Sequence, residues 1–128
     1  SELVLELARA SGPAGMAGGQ MMDIAAETSS FDLATTTRLQ QLKTGALIGF
    51  SVDAGAIMGK VSPQIRLKLK GYARDLGLAF QIADDLIDVE GDPEAAGKAL
   101  RKDGDANKST FVSLLGIDRA RNQAEILI

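Results

Sequence analysis

Between Phe80 and Asp88 the chain reads Phe-Gln-Ile-Ala-Asp-Asp-Leu-Ile-Asp, three carboxylates set into an apolar run. On a helix of 3.6 residues per turn, Gln81, Asp84, Asp85 and Asp88 fall at i, i+3, i+4 and i+7, within one narrow stripe. Leu78, Phe80, Ile82, Ala83, Leu86, Ile87 and Val89 make the remainder apolar all round, which predicts a buried helix end. Carboxylates crowded on such a stripe repel one another. Uncompensated, they raise their own pKa values or drive the helix out of the core. The chain must therefore fold so that positive charge faces the stripe, and a divalent cation is the most economical source.

Composition narrows the remaining choices. The 128 residues suffice for one domain with a real core, taken here as residues 1–128. Aromatic residues are only 4%, so the core must come from Ala, Leu, Ile, Val and Met, which favours packed helices over a sandwich or barrel. The net charge of -3 leaves no electrostatic footprint for nucleic acid. The absence of Cys excludes disulfides and thiolate zinc sites, and the absence of His excludes imidazole metal sites and Ser-His-Asp chemistry within this chain. Carboxylates, lysines, hydroxyls, amides and oxygen-bound hard metal ions remain. No basic leader precedes Ser1-Glu2-Leu3, and the weakly polar run 45–59 is too short to span a bilayer, so a cytoplasmic location without a membrane span is expected. The apolar helical opening and the unterminated Ala124–Ile128 read as cuts through a larger protein.

Periodicity predicts helices over Glu2–Ala10, from about Ala14 to Glu27, from Asp32 to about Gly59, from Pro63 to about Val89, and from near Asp118 onward. Ser30 or Asp32 suits the N-cap of the third helix, and Ser62-Pro63 that of the fourth. Ile65, Leu69, Tyr72, Ala73, Leu76, Phe80, Ala83 and Ile87 form one stripe of that fourth helix, the expected core face. Gln20, Asp23 and Glu27 make a second polar stripe after Gly18-Gly19, a pair that suits tight helix packing or close approach to a ligand. Lys43 lies in an apolar run, either snorkelling to water or meeting a buried anion. Asp92–Ala106 is a polar connection, readable as a surface loop or as one folding over an anion with Lys98, Lys102 and Lys108 as donors.

An acidic helix stripe followed by lysines suits a metal-bridged polyphosphate. Mg²⁺ takes one or two protein carboxylates and completes its shell with water and phosphate oxygens. Lysines bind the same phosphates as point charges, and together they stabilise a departing diphosphate. A bare Asp-Asp-x-x-Asp also decorates solvated helices. Here the apolar setting and the following lysines single it out.

The ordered motifs Gly15-Met16-Ala17-Gly18-Gly19-Gln20-Met21-Met22-Asp23, Lys43-Thr44-Gly45-Ala46-Leu47-Ile48 and Gly77–Asp88, with Gly91-Asp92, Gly97-Lys98 and Asn107-Lys108-Ser109-Thr110, resemble the trans-type isoprenyl diphosphate synthases of the polyprenyl synthetase family. Bacterial short-chain members are the most similar in pattern. The resemblance implies an all-α, isoprenoid-synthase-type bundle around a central cavity, of which this chain is the C-terminal half. It implies condensation of isopentenyl diphosphate with an allylic diphosphate (dimethylallyl or geranyl) to farnesyl or geranylgeranyl diphosphate, with Mg²⁺ as cofactor and a homodimer as the assembly. By the same resemblance Asp84, Asp85 and Asp88 hold the metal, and Lys43, Lys98 and Lys108 hold diphosphate. Lys43, Thr44 and Gln81 act on the reacting groups. Gln20 and Asp23 line the cavity, with Phe80 on its isopentenyl side.

The family's first aspartate-rich motif and its isopentenyl diphosphate-binding basic residues have no counterpart here, so this piece alone is expected to be inactive. Two other readings are a non-catalytic synthase-like subunit and a class I terpenoid enzyme that ionises allylic diphosphates without elongation. The aspartates weigh against the first, and the Lys43-Thr44-Gly45 and Phe80-Gln81 motifs against the second.

Overall fold

The computed structural model describes residues 1–91 and 109–128, and within them every regular element is helical. In chain order these are α1 (Glu2–Ser11), α2 (Met16–Ala25), α3 (Leu33–Gln40), a π-helical turn (Gln41–Gly45), α4 (Ala46–Met58), α5 (Pro63–Gly91), α6 (Phe111–Leu115) and α7 (Ile117–Leu127). The all-α class expected from composition is the class found. Among the described residues no helix is long and apolar enough to cross a membrane.

Local chemistry sets the boundaries. The Ser1 side chain accepts from Val4 N–H at the start of α1. Asp32 caps α3 by accepting from Thr35 N–H at 2.7 Å, which settles the choice between Ser30 and Asp32. Ser62 accepts from Ile65 N–H at the head of α5, with Pro63 as its first residue. α2 begins at Met16, two residues later than the periodicity suggested, and α7 begins one residue earlier, at Ile117. The segment 111–115, which carried no helix prediction, forms α6 under a capping box between Thr110 and Ser113.

The long third helix is one continuous path but not one α-helix. Gln40, Gln41, Gly45 and Ala46 all keep right-handed helical dihedrals, while the turn between them widens to π geometry. Such widened turns gather at functional sites, and this one carries Lys43 and Thr44.

The face that α5 buries is not the predicted stripe. Ala73, Gly77, Ala79, Gln81, Ile82 and Leu86 are buried, whereas Ile65, Tyr72, Leu76, Phe80 and Ile87 stand exposed. The helix is apolar on more than one side, so periodicity alone could not choose. Packing chose the small residues: at Gly77 even a methyl would already touch Gly45 of the π turn at 3.4 Å and Ile48 of α4 at 3.8 Å, which leaves little room for a larger side chain. Nor is the acidic end buried all round. Phe80 and Ile87 are 55% and 67% exposed there, and among the described residues the opposite side is the packed one. That side joins Ile82 and Leu86 to Phe111, Val112, Ala120 and Ala124 in one apolar cluster.

Candidate functional site

The site grows from a close approach between two helices. A methyl built on Gly19 of α2 would lie 2.2 Å from Lys43 N and 2.6 Å from Lys43 Cα, so only a hydrogen fits there. This contact presses α2 onto the π turn. Asp23, one turn further along α2, then meets Lys43 with Nζ···Oδ2 of 2.7 Å. The buried anion suggested for Lys43 is thus a residue of this same chain. Asp23 is nearly covered, and Lys43 keeps about a third of its side chain open.

The next residue carries the contact to α5. Thr44 Oγ1 donates to Gln81 Oε1 at 3.3 Å, and Gln81 is buried. An amide placed there needs a partner, because leaving it unsatisfied costs ~1–3 kcal/mol. Asp84 follows Gln81 by three residues and Asp88 follows Asp84 by four, both on solvent-exposed positions of α5. The polar row therefore runs Asp23–Lys43, Thr44–Gln81, Asp84, Asp88 from α2 across the π turn and down α5.

Asp85 stands apart from that row. Its Oδ2 accepts the Phe111 backbone N–H at 2.8 Å, on the packed side of α5. Burial pushes its carboxyl up to about 6; the Phe111 N–H pulls against this, and the Asp84 and Asp88 charges add to the rise. Among the described residues, no group of three acidic side chains converges on a point that could hold a metal ion. Asp84 and Asp88 remain as a helix-borne pair about 6 Å apart along the axis.

The other predicted site residues divide in two. Gln20 is exposed on α2, one turn before Asp23, and Phe80 is exposed beside Gln81. Lys98 and Lys108, like Lys102, lie outside the described residues.

Two features escaped the sequence reading. Buried Asp53 on α4 is gripped by Arg66, with Nε···Oδ1 of 2.6 Å and Nη2···Oδ2 of 2.8 Å, while Arg66 Nη1 reaches Glu2 at 2.7 Å. The signal was available: an acid inside an apolar helix calls for a cation, and Arg66 and Lys70 sit i, i+4 on the next helix. The second feature is a cavity of about 430 Å³ between α1, α4 and α5, lined by Arg9, Gln40, Gly49, Asp53, Arg74 and Gly77 among others. None of the described residues predicted for the site lines it. Its cations are engaged, Arg9 with Glu6, Lys70 with Asp53 and Arg74 with Asp75. The row from Asp23 to Asp88 is the stronger candidate site.

Fold and site together define an all-helical protein that sets a lysine, a hydroxyl and an amide beside an exposed carboxylate pair on one long helix. Residues 3–128 match the family described as Polyprenyl synthetase, and the chain belongs to that family. It is 43% identical over 127 residues to the farnesyl diphosphate synthase of Escherichia coli K12, covering 98% of this chain and 42% of that protein. Among solved structures it is similar to an FPP/GFPP synthase from Zymomonas mobilis, with 59% identity and a TM-score of 0.85 over 98% of this chain and 41% of that one. It is also similar to the Helicobacter pylori geranyltransferase complexed with magnesium and isoprenyl diphosphate, with 35% identity and a TM-score of 0.80 over 98% and 41% of the two chains. The chain thus spans about two fifths of the length of these relatives.

Proposed function

We propose that the full-length protein is a Mg²⁺-dependent prenyltransferase that condenses isopentenyl diphosphate with dimethylallyl or geranyl diphosphate to give farnesyl or geranylgeranyl diphosphate. The observation that carries this reading is the polar row itself, a half-open lysine, a hydroxyl–amide pair and two exposed carboxylates in sequence along one seam. Names of relatives at about 40% identity point the same way.

The donor set suits Mg²⁺. Asp84 and Asp88 offer hard oxygen donors from consecutive turns of α5, and this ion uses one or two carboxylates before turning to water and phosphate. When bound, the ion neutralises the diphosphate and assists its departure as a Lewis acid.

The chain's own residues supply the rest. Asp23 steadies Lys43, whose side chain stays about a third exposed, so Lys43 is placed to meet one diphosphate oxygen as a point charge. Thr44 fixes the Gln81 amide, whose orientation then decides which dipole faces the reacting carbons. Phe80 on α5 and Gln20 on α2 present an aromatic ring and an amide from exposed positions, suited to lining the substrate cavity. Lys98 and Lys108 are proposed as further diphosphate donors. A homodimer and a cytoplasmic location belong to the same proposal.

The test uses full-length protein, isopentenyl diphosphate and either allylic primer, with the product weighed by mass spectrometry. An elongated prenyl diphosphate supports the assignment, and its absence with both primers overturns it. Asp84→Ala should lower Mg²⁺-dependent turnover by at least about a hundredfold; unchanged turnover would remove Asp84 from the metal site.

A further inference from the structure

We propose that the adjacent aspartates have separate tasks, and that Asp85 is a positioning residue that aims Asp84 and Asp88 by clamping α6 onto α5. The proposal rests on reading Asp84 and Asp88 as the metal pair.

Three observations carry it. First, among the described residues the last turns of α5 are packed from one side. Ile82 and Leu86 are buried there against Phe111, Val112, Ala120 and Ala124, while Phe80, Asp84, Ile87 and Asp88 face outward. The direction in which the acidic pair points therefore depends on how firmly that single packed side is held. Second, Asp85 makes the polar contact between α5 and the head of α6, its Oδ2 accepting from Phe111 N–H at 2.8 Å. Phe111 is the first residue of α6, so this carboxylate satisfies one of the amides that a helix start leaves without an internal partner. Third, the same short stretch is tied at each successive residue. Ser109 Oγ accepts from Phe31 N–H, Thr110 caps α6 in a reciprocal pair with Ser113, and the Phe111 ring is 2% exposed in the core. Asp85 is thus part of a rigid joint, and its neighbours on the helix are what that joint orients.

A carboxylate is not essential to this task, because an amide oxygen accepts the same N–H. That separates a positioning residue from a ligand. In full-length protein, Asp85→Leu should speed exchange of the Phe111 amide about tenfold, the loss of one hydrogen bond, and should lower kcat. Asp85→Asn should restore both the protection and most of kcat, with the Mg²⁺ half-saturation within about threefold of the parent. Asp84→Asn should leave Phe111 protection untouched and raise the Mg²⁺ half-saturation at least about tenfold. If Asp85→Leu fails to fold, Asp85→Asn alone decides. A tenfold shift in Mg²⁺ dependence with the Phe111 amide still protected makes Asp85 a ligand and overturns the proposal. An unprotected amide in Asp85→Asn, or a protected one in Asp85→Leu, overturns it as well. If only Asp84→Asn fails to shift the Mg²⁺ dependence, the metal pair is wrongly assigned, while the amide readout still judges the clamp.

Discussion

Arg66 holds Asp53 by two parallel hydrogen bonds and, with its remaining nitrogen, holds Glu2, so one guanidinium ties α1, α4 and α5 together. Asp53 is only 5% exposed, and removing Arg66 leaves this buried carboxylate with the looser Lys70 contact at 3.7 Å in place of its two short hydrogen bonds. Arg66→Ala should lower Tm by at least ~5 °C. The double variant Asp53→Leu with Arg66→Met should be less damaged than Arg66→Ala alone, since it removes the buried charge along with its principal partner. Thermal melts of both variants check the order, and equal losses would refute it.

The same pair gives a pH dependence. The Arg66 hydrogen bonds hold the Asp53 carboxyl below its ordinary value of 3.8, against the opposing effect of burial. A lowered carboxyl contributes stability above the unfolded value, and that contribution is lost as pH falls through the folded one. Denaturation between pH 5 and pH 2.5 should show this acid loss, and Asp53→Asn should reduce its steepness.

Asp85 titrates in the opposite sense. Its folded value of about 6 exceeds the ordinary 3.8, chiefly through burial. The contribution is present in full below pH 3.8 and is lost as pH rises through about 6. Denaturation midpoints measured without divalent cations should fall for the parent between pH 4 and pH 6.5 by more than for Asp85→Asn. Parallel curves for the two proteins would contradict this.

Thr44→Val keeps the shape of the side chain and removes the donor to Gln81. The buried amide is then left short of a partner, a loss of ~1–3 kcal/mol, and turnover of the full-length protein should drop with it. Thr44→Ser should keep most of both. Urea titration and initial rates on the two variants separate the hydroxyl from the methyl.

At Gly19 a methyl group has nowhere to go, because the atoms it meets belong to the Lys43 backbone. Gly19→Ala should cost ~1–3 kcal/mol by overpacking and should displace Lys43 from Asp23. Both effects can be read in one experiment that follows stability alongside activity in Asp23→Asn as a reference.

Much of the fold was readable in the order of residues. Capping by Asp32 and by Ser62-Pro63 is local chemistry, so the starts of α3 and α5 followed from side chains a few positions away. The polar row was readable in part for a related reason: Gln81, Asp84 and Asp88 stand out as polar residues in an apolar run, whereas Thr44 followed only from the family resemblance. What did not follow was tertiary. No helical period says that α4 will choose Ala73 and Gly77 over Tyr72 and Leu76, because that choice depends on how near two backbones can come. The separation of Asp85 from Asp84 and Asp88 was equally hidden. On a helical wheel Asp84 and Asp88 lie about 40° apart, with Asp85 about 60° from Asp88 and about 100° from Asp84, and the arrival of Phe111 from the far end of the chain takes Asp85 out of the row.

The π turn has a consequence for how this chain tolerates change in length. It holds one residue more than an α-helical turn would, and that residue offsets α3 from α4 by about 100°. A single deletion between Gln41 and Gly45 would let the backbone relax into an ordinary helix. The helix itself would lose nothing, yet Lys43 and Thr44 could no longer face Asp23 and Gln81 together. The segment is therefore intolerant of any shift in register. Its length, more than any one of its side chains, is the quantity that inheritance has to preserve.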